Sequence, residues 1–132
     1  SAGSFWQFNG KQQDKEWAAV DFSHGPRGNW IYSTWTEFDD YGSELGTDSS
    51  RILFARSTNG GINWTGVTRI NKLNGNCIDE DYTVEGAVPA TGPNGEVYVA
   101  WSGPQGINNF KIFFDKSTAL KILVRVFVLE IS

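Results

Sequence analysis

Ser57-Thr58-Asn59-Gly60-Gly61-Ile62-Asn63-Trp64 is the stretch on which the reading of this chain turns. Two consecutive glycines accept the positive φ that a tight reversal demands, and an asparagine just before them can bond its own turn backbone. Trp64 is expected to fold back and cap the turn. The residues before it, Ile52-Leu53-Phe54-Ala55-Arg56-Ser57, form a strand-length segment that begins with four apolar residues, and residues 66–70 are a shorter strand candidate. A glycine-rich reversal between two such runs specifies a hairpin.

Working outward, residues 30–38 read Trp-Ile-Tyr-Ser-Thr-Trp-Thr-Glu-Phe. Aromatics fall on both alternating faces, which predicts a strand covered on both sides. Residues 97–102 and 111–116 predict two further strands, with shorter ones at 17–21 and 86–90. Gly25-Pro26-Arg27-Gly28-Asn29 and Gly92-Pro93-Asn94-Gly95 separate them as turns. No segment carries a helical period. The segments also repeat. Glu16-Trp17-Ala18-Ala19-Val20, a Gly/Pro turn, Tyr32-Ser33-Thr34-Trp35 and Arg56-Ser57-Thr58 are followed in the same order by Glu85-Gly86-Ala87-Val88, a Gly/Pro turn, Tyr98-Val99-Ala100-Trp101 and Lys116-Ser117-Thr118. A repeat of short strands is the unit of a β-propeller blade.

Composition agrees and sets limits. The 132 residues include 15 glycines, six tryptophans and nine phenylalanines, the balance of a turn-rich all-β chain. The net charge of −4 and the lack of any basic tract argue against nucleic acid as a partner. The most apolar stretch, residues 122–131, is interrupted by Arg125 and Glu130 and is too short for a helix that inserts into a membrane. A single cysteine, Cys77, rules out an internal disulfide, and with a single histidine it rules out the usual zinc sites. No leader peptide is visible, but a mature secreted chain would look the same.

Residues 57–64 closely resemble the Asp box, or BNR repeat, of the sialidase superfamily, whose pattern is Ser-x-Asp-x-Gly-x-Thr-Trp. Asn59 stands at the aspartate position and Asn63 at the threonine position. Asp14-Lys15-Glu16-Trp17-Ala18-Ala19-Val20-Asp21 and Gly95-Glu96-Val97-Tyr98-Val99-Ala100-Trp101 resemble blade starts and second strands of bacterial exo-α-sialidase-like proteins, so the likeness spans roughly residues 14–118. It implies an all-β chain of about two four-stranded antiparallel blades from a six-bladed β-propeller. Blade one would cover about 14–70 and blade two about 85–132. From residue 119 the tail departs from the pattern: the turn and tryptophan of a second box are missing. This points to a fragment of a longer protein or to a truncated or frame-shifted reading frame. The resemblance further implies a secreted or cell-surface location and a glycan or glycoconjugate as partner, with the missing blades supplied by the parent chain or by self-association.

In such propellers the Asp boxes lie away from the substrate. The turns at 22–29, 57–64 and 92–96 would share the box end, and the loops at 11–15, 39–51, 71–84 and 103–110 the substrate end. Acidic residues crowd the latter: Asp14, Glu16, Asp39, Asp40, Glu44, Asp48, Asp79, Glu80, Asp81 and Glu85. The resemblance implies an arginine cluster, a Tyr–Glu nucleophile pair and an aspartic acid. Of Arg27, Arg51, Arg56, Arg69 and Arg125, only Arg51 lies at that end. Tyr82 and Glu85 could supply the nucleophile pair. The plainer reading, a loop tyrosine and a solvated strand start, outweighs it. Asp14 or Glu16 could be the acid, or could bond backbone amides at the strand start. Asp39, Asp40, Asp79 and Asp81 are candidates for calcium, a hard ion that takes oxygen ligands, or are solvated loop acids. No other cofactor is expected. His24 reads as a turn residue. The function implied is part of a sialidase-like glycoside hydrolase whose site is incomplete in this stretch. The alternative is a non-catalytic Asp-box propeller that binds carbohydrate or protein.

Overall fold

The computed structural model describes residues 10–78, 82–104, 110–117 and 127–129. Among them there is no helix. Eight strands run in chain order: β1 (Gln12–Val20), β2 (Ile31–Phe38), β3 (Ser50–Ser57), β4 (Thr65–Arg69), β5 (Glu85–Thr91), β6 (Val97–Pro104), β7 (Phe110–Ser117) and β8 (Phe127–Leu129). They form two four-stranded sheets, ordered β1-β2-β3-β4 and β5-β6-β7-β8, and every neighbouring pair is antiparallel. The tail that departs from the repeat still contributes β8, which pairs with β7. The rest of that tail, from residue 118, lies outside the described residues.

The repeat read in the sequence is also a repeat of register. β2 and β3 pair without interruption from Ile31↔Ser57 to Phe38↔Ser50, and β6 and β7 pair likewise from Val97↔Ser117 to Pro104↔Phe110. Tyr32 faces Arg56 across one ladder as Tyr98 faces Lys116 across the other. Both cations lie 5.3 Å from an aromatic centroid, Arg56 over Trp30 and Lys116 over Tyr98.

One alignment within the repeat needs correction. The sequence pairs Glu16 with Glu85. Both first strands, however, carry a bulge at the start. In β1 the register slips between Asp14↔Thr36 and Trp17↔Thr34, and in β5 between Glu85↔Ser102 and Val88↔Ala100. Each bulge opposes an extra residue to its partner strand, so Asp14 is the counterpart of Glu85 and Trp17 of Val88. Lys15 and Gly86 occupy the same bulge position, with φ of 54° and 73°. The segment 11–15, expected as a loop, is therefore mostly strand. Gln12-Gln13-Asp14 lack the β-branched residues that mark strands in sequence, and pairing with the strongly strand-forming β2 draws them in.

The main core lies between the two sheets. Tyr32, Ile52, Phe54 and Ile70 pack with Val84, Ala87, Val97, Val99 and Trp101, all buried. Burying a side chain of this size contributes about 1.5–3 kcal/mol. The opposite face of the first sheet buries Trp35, Leu53 and Ala55, with Trp64 and Val67 packed against them. β2 is thus covered on both faces, as its aromatic pattern predicts. Side-chain to backbone hydrogen bonds tie the two sheets: Thr34 Oγ1 donates to the Ala87 carbonyl at 3.0 Å, and Thr91 Oγ1 to the Val20 carbonyl at 2.8 Å. Nearer the loop end, Ser50 Oγ accepts from the Val84 amide at 2.9 Å. Gly75 fits between these segments because it has no side chain. A Cβ there would lie 2.6 Å from Ser50 Oγ and would also strike the Tyr82 carbonyl and the Val84 amide.

The hairpin at 57–64 forms as its residues demand. Gly60 and Gly61 take φ of 74° and 87°. Ser57 Oγ accepts from the Gly61 amide at 2.8 Å, Asn59 Oδ1 accepts from the Asn63 amide at 2.9 Å, and Trp64 Nε1 donates to the Gly61 carbonyl at 3.1 Å.

Candidate functional site

The end of the sheets opposite this hairpin carries the acidic residues, and the structure sorts them by sheet face. Opposed residues in an antiparallel pair share a face, and successive residues alternate. Gln12 and Asp14, paired with Phe38 and Thr36, therefore lie on the face that looks toward the second sheet. Gln13, Glu37 and Arg51 lie on the other.

On that other face Arg51 is fully engaged. Its Nη1 contacts Glu37 Oε1 at 2.6 Å, and its Nη2 contacts Asp39 Oδ2 at 2.7 Å and Ser49 Oγ at 2.9 Å. Lys11 Nζ reaches Asp39 Oδ1 at 2.7 Å, and Gln13 Nε2 donates to Glu37 Oε2 at 3.1 Å. Gln13 Oε1 in turn accepts from Trp35 Nε1 at 2.6 Å, which fastens the network to the apolar core. Burial alone would raise the acidity threshold of Asp39, but hydrogen bonds from Arg51, Lys11 and the Ser49 amide outweigh it and hold the carboxyl well below the usual carboxylate range. Arg51 loses some basicity to burial and regains more from Asp39 and Glu37, so it is held protonated. A guanidinium committed to two carboxylates is not available to capture a substrate's carboxylate. The structure does not bring Arg51 together with Asp14.

It does bring Asp14 and Glu85 together. Lys15 Nζ lies 3.9 Å from Asp14 Oδ2 and makes an ion pair with Glu85 Oε2. Glu85 Oε1 also accepts from Thr83 Oγ1 at 2.7 Å. The two carboxylates sit at equivalent bulges of β1 and β5, and the lysine between them occupies a backbone conformation its counterpart meets with glycine. Glu16, on the exposed side of the bulge, does not join them. Tyr82 is exposed and makes no hydrogen bond with Glu85 among the described residues. Its backbone amide donates to Asn76 Oδ1 at 3.3 Å, and its carbonyl accepts from the Asn76 amide at 2.9 Å. The Tyr–Glu pair suggested by their nearness in sequence is not formed in this arrangement.

Of the calcium candidates, Asp39 is bound to the chain's own cations and Asp40 Oδ1 accepts from Gln12 Nε2 at 3.4 Å. Asp79 and Asp81 lie outside the described residues. Among the described residues no group of three or more His, Cys, Asp and Glu side chains could hold a metal ion. Cys77 is buried as a free thiol, and its carbonyl accepts from the Gly42 amide at 2.7 Å.

Beside Asp14 lies a depression of about 420 Å³ lined by Gln12, Asp14, Phe38 and Tyr41. Phe38 is buried and packs edge-to-face with Tyr41, at 5.0 Å between centroids and 86° between planes. Gln12 Oε1 accepts from the Tyr41 amide at 2.7 Å and holds the start of the loop in place. Tyr41 remains 48% exposed. Sequence reading misses Gln12, Phe38 and Tyr41 as site residues. The available signal is the run Phe38-Asp39-Asp40-Tyr41, where an aromatic follows directly on a strand end in an acidic loop.

Compared with protein-family models, curated proteins and solved structures, the chain matches none. No helix among the described residues is long and apolar enough to cross a membrane.

Proposed function

We propose that this chain forms two neighbouring blades of a sialidase-like Asp-box propeller, part of a secreted or cell-surface glycoside hydrolase that acts on glycans. The observation that carries this reading is the hairpin at 57–64, in which the serine, asparagine and tryptophan of the box each make a hydrogen bond that closes the turn. Two supporting features are the matched registers of the two sheets and the convergence of the equivalent carboxylates Asp14 and Glu85 at the end away from that hairpin. In this reading Asp14 is the acid candidate, and Lys15 lies between it and Glu85, where an entering substrate would displace it. The site is incomplete in this chain because Arg51 serves Glu37 and Asp39. The 132-residue chain alone is therefore expected not to hydrolyse a fluorogenic sialoside. A panel of aryl glycosides, assayed on a longer propeller containing these residues, tests the proposal. Turnover of at least one substrate that is lost in Asp14→Asn supports it, and turnover indifferent to Asp14 and Glu85 overturns the assignment of the site.

The commitment of Arg51 to internal ion pairs favours a second reading, a non-catalytic propeller that binds carbohydrate or protein. Glycan binding by the same protein without turnover of any glycoside would establish it.

A further inference from the structure

The depression beside Asp14 has a chemistry of its own. Its wall is Tyr41, backed by the buried Phe38, and its rim is the Asp14 carboxylate, whose side chain is 46% exposed. An exposed aromatic ring offers a flat apolar surface, and a carboxylate next to it offers two acceptors for neighbouring hydroxyls. A pyranose presents both complements at once, C–H groups on one face and hydroxyls at its edge. Thr36, directly across the ladder from Asp14, is wholly buried, and its hydroxyl has no hydrogen-bond partner among the described residues.

Charge narrows the class. Carboxylates around the depression, among the described residues, include Asp14, Glu37, Asp39, Asp40 and Glu85. The cations among them, Lys11, Lys15 and Arg51, are all paired with those same carboxylates. A sugar carboxylate entering the depression would meet Asp14 and Asp40, while the guanidinium of Arg51 is already committed to Glu37 and Asp39, and like charges at short range repel.

We propose that the depression lined by Gln12, Asp14, Phe38 and Tyr41 is a subsite for an uncharged pyranose, stacked on Tyr41 and hydrogen-bonded to Asp14, and that it rejects acidic sugars. This rests on the glycan reading above and specifies its ligand: the sugar bound here is neutral, even if the parent protein elsewhere contacts an anionic residue.

The test is a ¹⁵N-resolved titration of the full chain with cellobiose, lactose, mannobiose, methyl β-glucoside, methyl β-glucuronide and methyl α-sialoside. At least one neutral sugar is expected to shift the amides of Gln12, Asp14 and Tyr41. The glucuronide, which differs from the glucoside only in its carboxylate, is expected to bind about tenfold more weakly or worse, a difference worth about 1.4 kcal/mol. Asp14→Asn should narrow that gap, Tyr41→Ala should weaken neutral sugars, and Tyr41→Phe should retain them. Shifts at these amides by the acidic sugars at equal or lower concentration would overturn the inference while leaving the glycan reading intact. No shift with any sugar would also overturn it. The glycan reading itself fails only if the longer propeller neither hydrolyses nor binds glycans.

Discussion

Asp39 shows how a single side chain is fixed by its partners. Its carboxyl is depressed by Arg51, Lys11 and the Ser49 amide acting against burial. A carboxyl whose folded pKa lies below its unfolded value contributes stability that is fully present above the unfolded pKa and is lost as pH falls toward the folded one. That window opens below about pH 4, the ordinary carboxyl value. Stability measured by urea unfolding is expected to fall on acidification through this range, and Asp39→Asn should flatten the slope there. At pH 7 the same substitution should cost about 1–3 kcal/mol, since it leaves charged donors on Lys11 and Arg51 underused. An unchanged acid slope in Asp39→Asn would show that other carboxyls govern it. Ser57 gives a second case. Its hydroxyl is buried and accepts from the Gly61 amide at 2.8 Å. Ser57→Ala should cost about 1–2 kcal/mol by chemical denaturation. Asn59→Asp should cost nothing, because the carboxylate can accept the Asn63 amide equally well.

At the scale of the element, the bulges at the starts of β1 and β5 place the carboxylates. Lys15 sits at φ 54° where Gly86 sits at 73°. A left-handed conformation costs a residue with a Cβ about 1 kcal/mol. The lysine's ion pairs lie half in solvent, with the side chain 51% exposed, so they offset little of this. Lys15→Gly is therefore expected to be as stable as the parent or more so, and Lys15→Ala less stable than Lys15→Gly by about 1 kcal/mol in thermal unfolding. If Lys15→Ala and Lys15→Gly melt together, the bulge conformation carries no strain. The bulge also explains where the sequence misleads. Read as strings, Glu16-Trp17-Ala18 and Glu85-Gly86-Ala87 align by their glutamates. The extra bulge residue shifts the true counterpart to Asp14, and only the ladder registers reveal it.

At the scale of the whole molecule, the two sheets bury one core between them and leave apolar side chains outside it. Trp17 and Val88, at equivalent bulge-end positions on β1 and β5, are 57% and 46% exposed, and Phe22 and Ile62 are more exposed still. Side chains of this kind favour contact with another surface when they cluster. In the propeller reading that surface is the rest of the ring, supplied by a parent chain or by further copies. The isolated chain is expected to self-associate, with light-scattering mass rising over a micromolar concentration series, and Trp17→Lys should reduce the rise. A monomer that unfolds cooperatively and stays monomeric at high concentration would show that these positions need no partner, and the two-blade reading would lose its main requirement.

The sequence by itself determined the secondary-structure class, the hairpin and the repeat, because these depend on local physics. Gly60 and Gly61 permit the positive φ of the turn, Ser57 and Asn59 lie close enough in sequence to bond it, and aromatics on both faces of residues 30–38 require a strand covered twice. What Arg51, Glu85 and Tyr41 do was not legible, because each depends on residues distant in sequence. Arg51 is committed because β2 places Glu37 across from it, and Glu85 is held by Lys15, which reaches it from the first sheet, rather than by its sequence neighbour Tyr82. Tyr41 became a wall only once Gln12 joined β1 and Phe38 packed beneath it. Cross-strand register decides which charges meet, and a bulge of one residue changes that register without any signature a linear reading can recognise.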